Sequence, residues 1–271
     1  MTSAGAILAE RAVRLAARAD QVALCLDFDG TLSPIVPDPE AARPLEGMVE
    51  LLGPLAARFA AVALISGRPA DYLATHANAP GVRHLGLYGL QEIRDGQVRV
   101  DSRLEAGRPA VQAARQVLRD HPAVQASGAW LEDKRYAIVV HTRWVADPDR
   151  WAGPIDQAAR EIATRHGLEV VPGKLVWELR PAVPSDKGDA VRKVVASCGA
   201  RSVMVAGDDL GDLAAFAAAA QLAAEGGDTL RVAVRSPEAP EGLVADADLV
   251  VDGPPGLRDF LERLTARPGS S

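Results

Sequence analysis

The 271-residue chain is predicted to be an α/β protein: a Rossmann-like parallel sheet interrupted by a smaller inserted α/β domain. Three observations predict this. Val22–Leu26, Ala61–Ile65 and 202–206 are nearly continuous apolar runs of strand length, the pattern of parallel strands covered on both faces. Each run ends in a polar, glycine-containing cluster, at the carboxyl edge where open α/β sheets bind ligands. Between 107 and 182 the pattern breaks into a different mixture of helices and short strands, and afterwards it resumes.

Along the chain, residues 4–20 place Glu10, Arg11, Arg14 and Arg18 among alanines and leucines. Those charges predict an amphipathic helix and interrupt any signal-peptide core. The first strand is followed by a loop with Pro34, Pro37 and Pro39, then by a helix over 44–59 with Pro44 suited to its first turn. The second strand runs to Ile65, a third covers 84–88, and 92–100 predicts a hairpin about Asp95-Gly96.

The insertion predicts a helix over 109–120, a strand over 136–143 and a helix over 149–166 ended by Gly167. Short strands over 168–171 and 175–179 follow, turning at Pro172-Gly173. The expected division is a discontinuous core, 1–106 with 183–271, around an insertion at 107–182. The core then continues with a helix over 187–197, the strand over 202–206, an alanine-rich helix, strands over 231–234 and 248–251, and a last helix over 257–264. The tail at 268–271 is expected to fray.

Bulk properties narrow the function. A formal net charge of −6 disfavours nucleic acid or an anionic membrane as partner. Cys25 and Cys198 are too few for a disulfide framework, and each lies in an apolar run as a reduced core residue. No segment has the length and apolarity of a membrane-spanning helix. A cytoplasmic protein with a small-molecule partner is expected.

The chemistry begins at Asp27-Phe28-Asp29-Gly30-Thr31. Two carboxylates one residue apart, a glycine that lets backbone N–H groups face an anion, and a hydroxyl suit a hard cation and a phosphoryl group. One carboxylate is then available as a nucleophile. An Asp-Gly turn after a strand accounts equally for the shorter pattern. Ser66, beside Gly67 and Arg68, is either a phosphate ligand or a helix N-cap before Pro69. Lys187 opens a helix, where a cation opposes the dipole, which suggests a second task such as neutralising phosphoryl charge. Asp208, Asp209 and Asp212 crowd one strand end and call for a divalent cation such as Mg²⁺, or else form an acidic first helical turn.

Taken in order, these four motifs resemble those of the haloacid dehalogenase superfamily of phosphohydrolases. The resemblance implies a haloacid dehalogenase core with Asp27 as nucleophile and Asp29 as general acid/base. Mg²⁺ would lie on Asp27, the Asp29 backbone and Asp208, with Asp209 or Asp212 orienting its waters. Ser66, Gly67, Arg68, Thr31 and Lys187 would surround the phosphoryl group. Within the superfamily, the stretch from Asp27 to Pro37 is similar to the opening of the trehalose-6-phosphate phosphatase family. So are Trp130-Leu131-Glu132-Asp133-Lys134, His141-Thr142-Arg143 and 173–181 in the insertion.

That resemblance implies a mobile cap in which Glu132, Lys134, His141, Arg143 and Glu178 hold a sugar, and possible association with a trehalose-phosphate synthase. The spacing adds that His141 and Arg143, two apart on a strand, point the same way. Thr142 stands where the family usually has an aromatic residue, Gly211 where it has Thr and Leu213 where it has Glu. Trehalose 6-phosphate is the leading substrate. Another disaccharide, pseudo-disaccharide or sugar phosphate, a phosphomutase, and a silent sugar-phosphate-binding partner of a synthase are the alternatives.

Overall fold

The computed structural model describes residues 3–36, 38–236 and 240–265, so Pro37 and the expected frayed tail lie outside the described residues. The chain divides into two compact units, 1–99 with 185–271, and 100–184. In chain order the first unit opens with α1 (Ser3–Ala16), β1 (Val22–Leu26), α2 (Met48–Ala56), β2 (Ala61–Ile65), α3 (Ala70–His76), β3 (Val82–Gly86), β4 (Gln91–Arg94) and β5 (Gln97–Val100). The second unit holds α4 (Ser102–Asp120), α5 (Pro122–Ser127), β6 (Trp130–Asp133), β7 (Ile138–His141), α6 (Pro148–His166), β8 (Leu168–Gly173) and β9 (Val176–Pro181). The first unit resumes with α7 (Lys187–Cys198), β10 (Ser202–Gly207), α8 (Asp212–Ala224), β11 (Thr229–Arg235), α9 (Glu241–Asp246), β12 (Leu249–Asp252) and α10 (Gly253–Thr265).

The large sheet has the order β12-β11-β10-β1-β2-β3-β4-β5, and the strands from β12 to β3 pair in parallel. From β1 the chain builds outward through β2 and β3, and later returns to the other side of β1 as β10. The boundary between β1 and β10 is therefore the switch point of the sheet, where the strand ends leave a crevice for a ligand.

Every residue of β1 is buried, and alternation explains how. Leu24 and Leu26 pack with Met48 and Leu52 of α2 and Phe260 and Leu261 of α10. Ala23 and Cys25 face Val191 and Val194 of α7 and Phe216 and Ala219 of α8. Each such leucine or valine contributes about 1.5–3 kcal/mol on burial, and β1 and β2, covered on both faces, hold no polar residue before their carboxyl ends.

The second unit carries its own four-stranded antiparallel sheet, β6-β7-β9-β8. Ile138, Val140, Trp177 and Leu179 pack beneath α4 and α6 with Val111, Leu118, Ile155 and Ile162. Two expectations change here. Strand β7 ends at His141, and Arg143 lies in a turn closed by Val145 N–H donating to Thr142 O at 3.2 Å, so the two-residue alternation stops before it. The β8–β9 turn falls at Lys174-Leu175, not at Pro172-Gly173. Pro172 is tolerated within the strand because β8 is an edge, where a missing N–H costs little, and Leu175 takes the turn's positive φ of 61°.

Candidate active site

At the carboxyl ends of β1 and β10, Asp27, Asp208 and Asp212 converge. One carboxylate oxygen from each lies within 4.8 Å of the others, and all three residues are buried. Lys187, at the first position of α7, donates from Nζ to Asp27 Oδ1 at 2.8 Å and Asp212 Oδ1 at 2.8 Å, with Asp209 Oδ1 at 3.4 Å. Its conflict with the helix dipole is offset by the cap: Asp186 and Asp189 bond reciprocally across the first turn. The Thr31 hydroxyl stands 3.3 Å from Asp27 Oδ2 and 3.3 Å from Asp208 Oδ1, and its one proton can satisfy only one of them at a time.

Two glycines make this packing possible. At Gly30, φ is 72° and a Cβ would fall on the Asp208 carboxylate; at Gly207 a Cβ would fall on the Asp212 carboxylate. Asp212 closes the acidic loop by accepting from Asp208 N–H at 3.0 Å and Asp209 N–H at 3.1 Å. Asp209 itself stands outside the converging group, its side chain 58% exposed.

The charges do not balance. One ammonium faces three buried carboxylates. Burial pushes the Asp27 carboxyl above its ordinary value despite Lys187 beside it. Burial and then Asp27 push Asp208 up to about 7, although Ser236 donates to it. Asp212 is driven up for the same reasons. Burial opposes the Lys187 charge, but the carboxylates of Asp27, Asp212 and Asp209 outweigh it and raise the lysine. Three buried oxygen donors with excess negative charge fit a hard divalent cation, since a bound ion would supply the missing positive charge.

Asp29 takes no part in that group with its side chain. Its carboxylate turns to the Arg68 guanidinium, which donates to both of its oxygens. Ser66 is buried at the end of β2, and its hydroxyl accepts from Arg68 N–H at 3.2 Å. The Tyr88 ring lies over Gly67, where a Cβ would touch it; Leu87 and Tyr88 both hold positive φ, 49° and 56°, to bring it there. Tyr72, Tyr88 and Ser236 are neighbours of the site that no motif discloses. The only signal for them is that each follows closely on a strand or motif at the same sheet edge.

In the second unit, Glu132, Lys134, His141 and Glu178 share the sheet face opposite α4 and α6. Trp130 pairs with His141, and Glu132 and Glu178 both pair with Val139. His141 Nε2 donates to Glu132 Oε2 at 2.8 Å, and Lys134 Nζ lies 3.6 Å from Glu178 Oε2. Arg180 extends this charged row, 2.7 Å from Glu169 and 3.9 Å from Glu178. Arg143 is exposed in the turn beyond β7.

The fold is that of the haloacid dehalogenase-like proteins. A haloacid dehalogenase-like hydrolase from Bacteroides thetaiotaomicron superposes with a TM-score of 0.60 at 16% identity, covering 89% of this chain and 98% of that one. The family model described as trehalose-phosphatase matches residues 25–242, and the chain belongs to the trehalose-phosphatase family. The trehalose-phosphate phosphatase of Mycobacterium leprae (strain TN) is 35% identical over 257 residues, which is 91% of this chain and 58% of that protein. The chain thus spans less than two thirds of the length of this curated relative. The crystal structure of a trehalose-6-phosphate phosphatase related protein superposes with a TM-score of 0.64 at 25% identity, covering 90% of this chain and 96% of that one.

Proposed function

We propose that the chain is a Mg²⁺-dependent phosphatase that hydrolyses trehalose 6-phosphate to trehalose and phosphate, the closing step of trehalose synthesis. The observation that carries this reading is the Asp27 carboxylate: buried, 2.8 Å from Lys187 Nζ, and facing two more acidic side chains in a crevice at the switch point. A purely binding protein has no use for a nucleophile held against such repulsion.

Asp27 attacks phosphorus in line as the bond to the sugar oxygen breaks, leaving an aspartyl-phosphate. Asp29 gives its proton to the departing oxygen, then takes one from the water that cleaves the aspartyl-phosphate. Lys187 offsets charge on the phosphoryl oxygens, and Ser66, Gly67 and Thr31 offer hydroxyl and N–H donors to them. Asp27, Asp208 and Asp212 would hold Mg²⁺, with the Asp29 backbone carbonyl as a further oxygen and Asp209 at the rim. The ion would supply positive charge to the transferring group. In the second unit, Glu132, Lys134, His141, Glu178 and the exposed Arg143 are the groups that would read the sugar hydroxyls.

Phosphate release from trehalose 6-phosphate, sucrose 6-phosphate and glucose 6-phosphate, with and without Mg²⁺, tests the assignment. Trehalose 6-phosphate is expected to be turned over at least about tenfold faster than glucose 6-phosphate, a difference of about 1.4 kcal/mol. Equal rates would remove the disaccharide from the reading. Asp27→Asn is expected to abolish turnover, and retained turnover would remove the covalent mechanism.

A further inference from the structure

Three rings stand together at one end of the smaller sheet. Trp130 opens β6 and is the cross-strand partner of His141, the last residue of β7. Their ring centres are 4.7 Å apart with planes tilted by 32°. Trp144, in the turn beyond β7, places its ring 5.7 Å from His141 at a tilt of 30° and 5.8 Å from Trp130 at 61°. The three centres stand at the corners of a triangle, with the imidazole plane inclined midway between the two indole planes, so the rings form one compact aromatic shelf.

The shelf is exposed yet held. Trp130 is 50% and Trp144 69% exposed, a large apolar surface left in water. Glu132 locks the imidazole through the 2.8 Å bond to Nε2. The turn bearing Trp144 is pinned by Thr142, whose N–H donates to Leu175 O at 3.0 Å and whose Oγ1 donates to the same oxygen at 3.3 Å. Such pre-ordering lowers the cost of binding. Hydrogen-bonding groups border the rings on the same sheet face: Glu132 follows Trp130 by two residues, then Lys134, with Glu178 across the sheet.

An apolar aromatic surface edged by carboxylate, imidazole and ammonium matches the two-sided chemistry of a pyranose. That ring carries polarised C–H bonds on one face, which favour the electron-rich face of an indole, and hydroxyls around its rim. We propose that Trp130, His141 and Trp144 form a stacking shelf that seats the C–H face of a pyranose ring and selects cyclic sugars over acyclic polyols. This deepens the reading of the chain as a sugar-phosphate phosphatase and rests on it.

The test uses Trp144→Ala, Trp144→Phe and Trp130→Ala in the full chain. Two readouts are taken: kinetics on trehalose 6-phosphate and on glycerol 3-phosphate, and quenching of intrinsic tryptophan fluorescence by trehalose alone. The ratio of kcat/KM for the disaccharide phosphate to that for the acyclic phosphate is expected to fall about tenfold in Trp144→Ala, mostly through KM. Trp144→Phe should recover most of it. A wild-type chain that hydrolyses the disaccharide phosphate while both alanine variants keep the ratio would overturn the shelf and leave the phosphatase reading intact. A wild-type chain inactive on every sugar phosphate would remove that reading. Fluorescence then decides the shelf: quenching by trehalose that Trp144→Ala loses supports it, and no quenching overturns it.

Discussion

Arg68 holds both carboxylate oxygens of Asp29, from Nε at 2.7 Å and from Nη2 at 2.7 Å, with its guanidinium carbon 4.3 Å from the centre of the Tyr72 ring. This two-pronged geometry is the strongest arrangement open to an arginine and a carboxylate. It is also braced. The Tyr72 hydroxyl donates to Ala42 O at 2.8 Å, and its ring meets Phe28, the residue between the two aspartates, edge-on at 5.9 Å. The residue read as acid/base is therefore oriented by a chain of contacts that begins one position from Asp27.

A carboxylate capped on both oxygens accepts hydrogen bonds and donates none, so this is a resting arrangement from which Asp29 must turn to reach a leaving oxygen. Arg68 sets where it starts. Arg68→Met is expected to lower turnover of trehalose 6-phosphate about tenfold, because general acid catalysis is worth about 10²–10⁴-fold and depends on position. 4-Nitrophenyl phosphate, whose phenolate leaves without a proton, should lose much less. Parallel steady-state assays give the ratio, and equal losses on both substrates would show that Arg68 acts on a step the two share and not on proton delivery to the leaving oxygen.

Metal binding should carry a pH signature. Asp27, Asp208 and Asp212 all sit above their ordinary values through burial, Asp208 at about 7. An ion takes the deprotonated carboxylates, so Mg²⁺ affinity should rise with pH through about 7, with proton release on binding. For the metal-free chain the sign is opposite. Between the ordinary carboxylate pKa of about 4 and the raised values, the folded state keeps protons that the unfolded chain has lost, so stability falls as pH rises. Calorimetric titration in two buffers of different ionisation enthalpy measures the proton release. Affinity independent of pH from 5.5 to 8 would show that these carboxylates are not the ligands.

What the sequence discloses depends on how local the cause is. Strand β1 is legible because both its faces are covered, leaving an unbroken apolar run that ends where the acidic motif begins. Strand β6 is not: Trp130 and Glu132 lie along its uncovered face, and of the two residues that turn toward the helices, Leu131 and Asp133, the second is a carboxylate held by Arg115 of α4 at 2.6 Å, so no apolar alternation marks it. Helix α3, seven residues long and following Pro69, is too short to show a period. In the site, the convergence of Asp27, Lys187, Asp208 and Asp212 follows from strand ends that share one edge. The grip of Arg68 on Asp29 does not, since no spacing brings residues 39 apart into contact. Nor does any motif reveal that Trp144 completes a cluster with Trp130, because the turn that delivers it is held by Leu175 from another hairpin.

A second buried ion pair secures the far side of the large sheet and should report on its stability alone. Arg83 of β3 donates from Nε to Glu92 Oε1 of β4 at 2.8 Å and from Nη1 to Ser197 Oγ of α7 at 2.7 Å; both charged side chains are about 5% exposed or less. Lys193 Nζ lies 3.5 Å from the other Glu92 oxygen. Burial works to raise the Glu92 carboxyl, but Arg83 and Lys193 outweigh it and hold it below its ordinary value. Its contribution to stability is therefore complete above the unfolded carboxylate pKa of about 4.3 and is lost as pH falls through the lower folded value, where the unfolded chain binds the proton first. Removing one partner leaves a buried charge uncompensated, at a cost of about 3–5 kcal/mol. Glu92→Gln should lower the urea midpoint at pH 7 by that equivalent, and the gap from wild type should narrow as pH falls below about 4. A gap that stays constant from pH 7 to pH 3 would show that the loss comes from packing and not from the charge on Glu92.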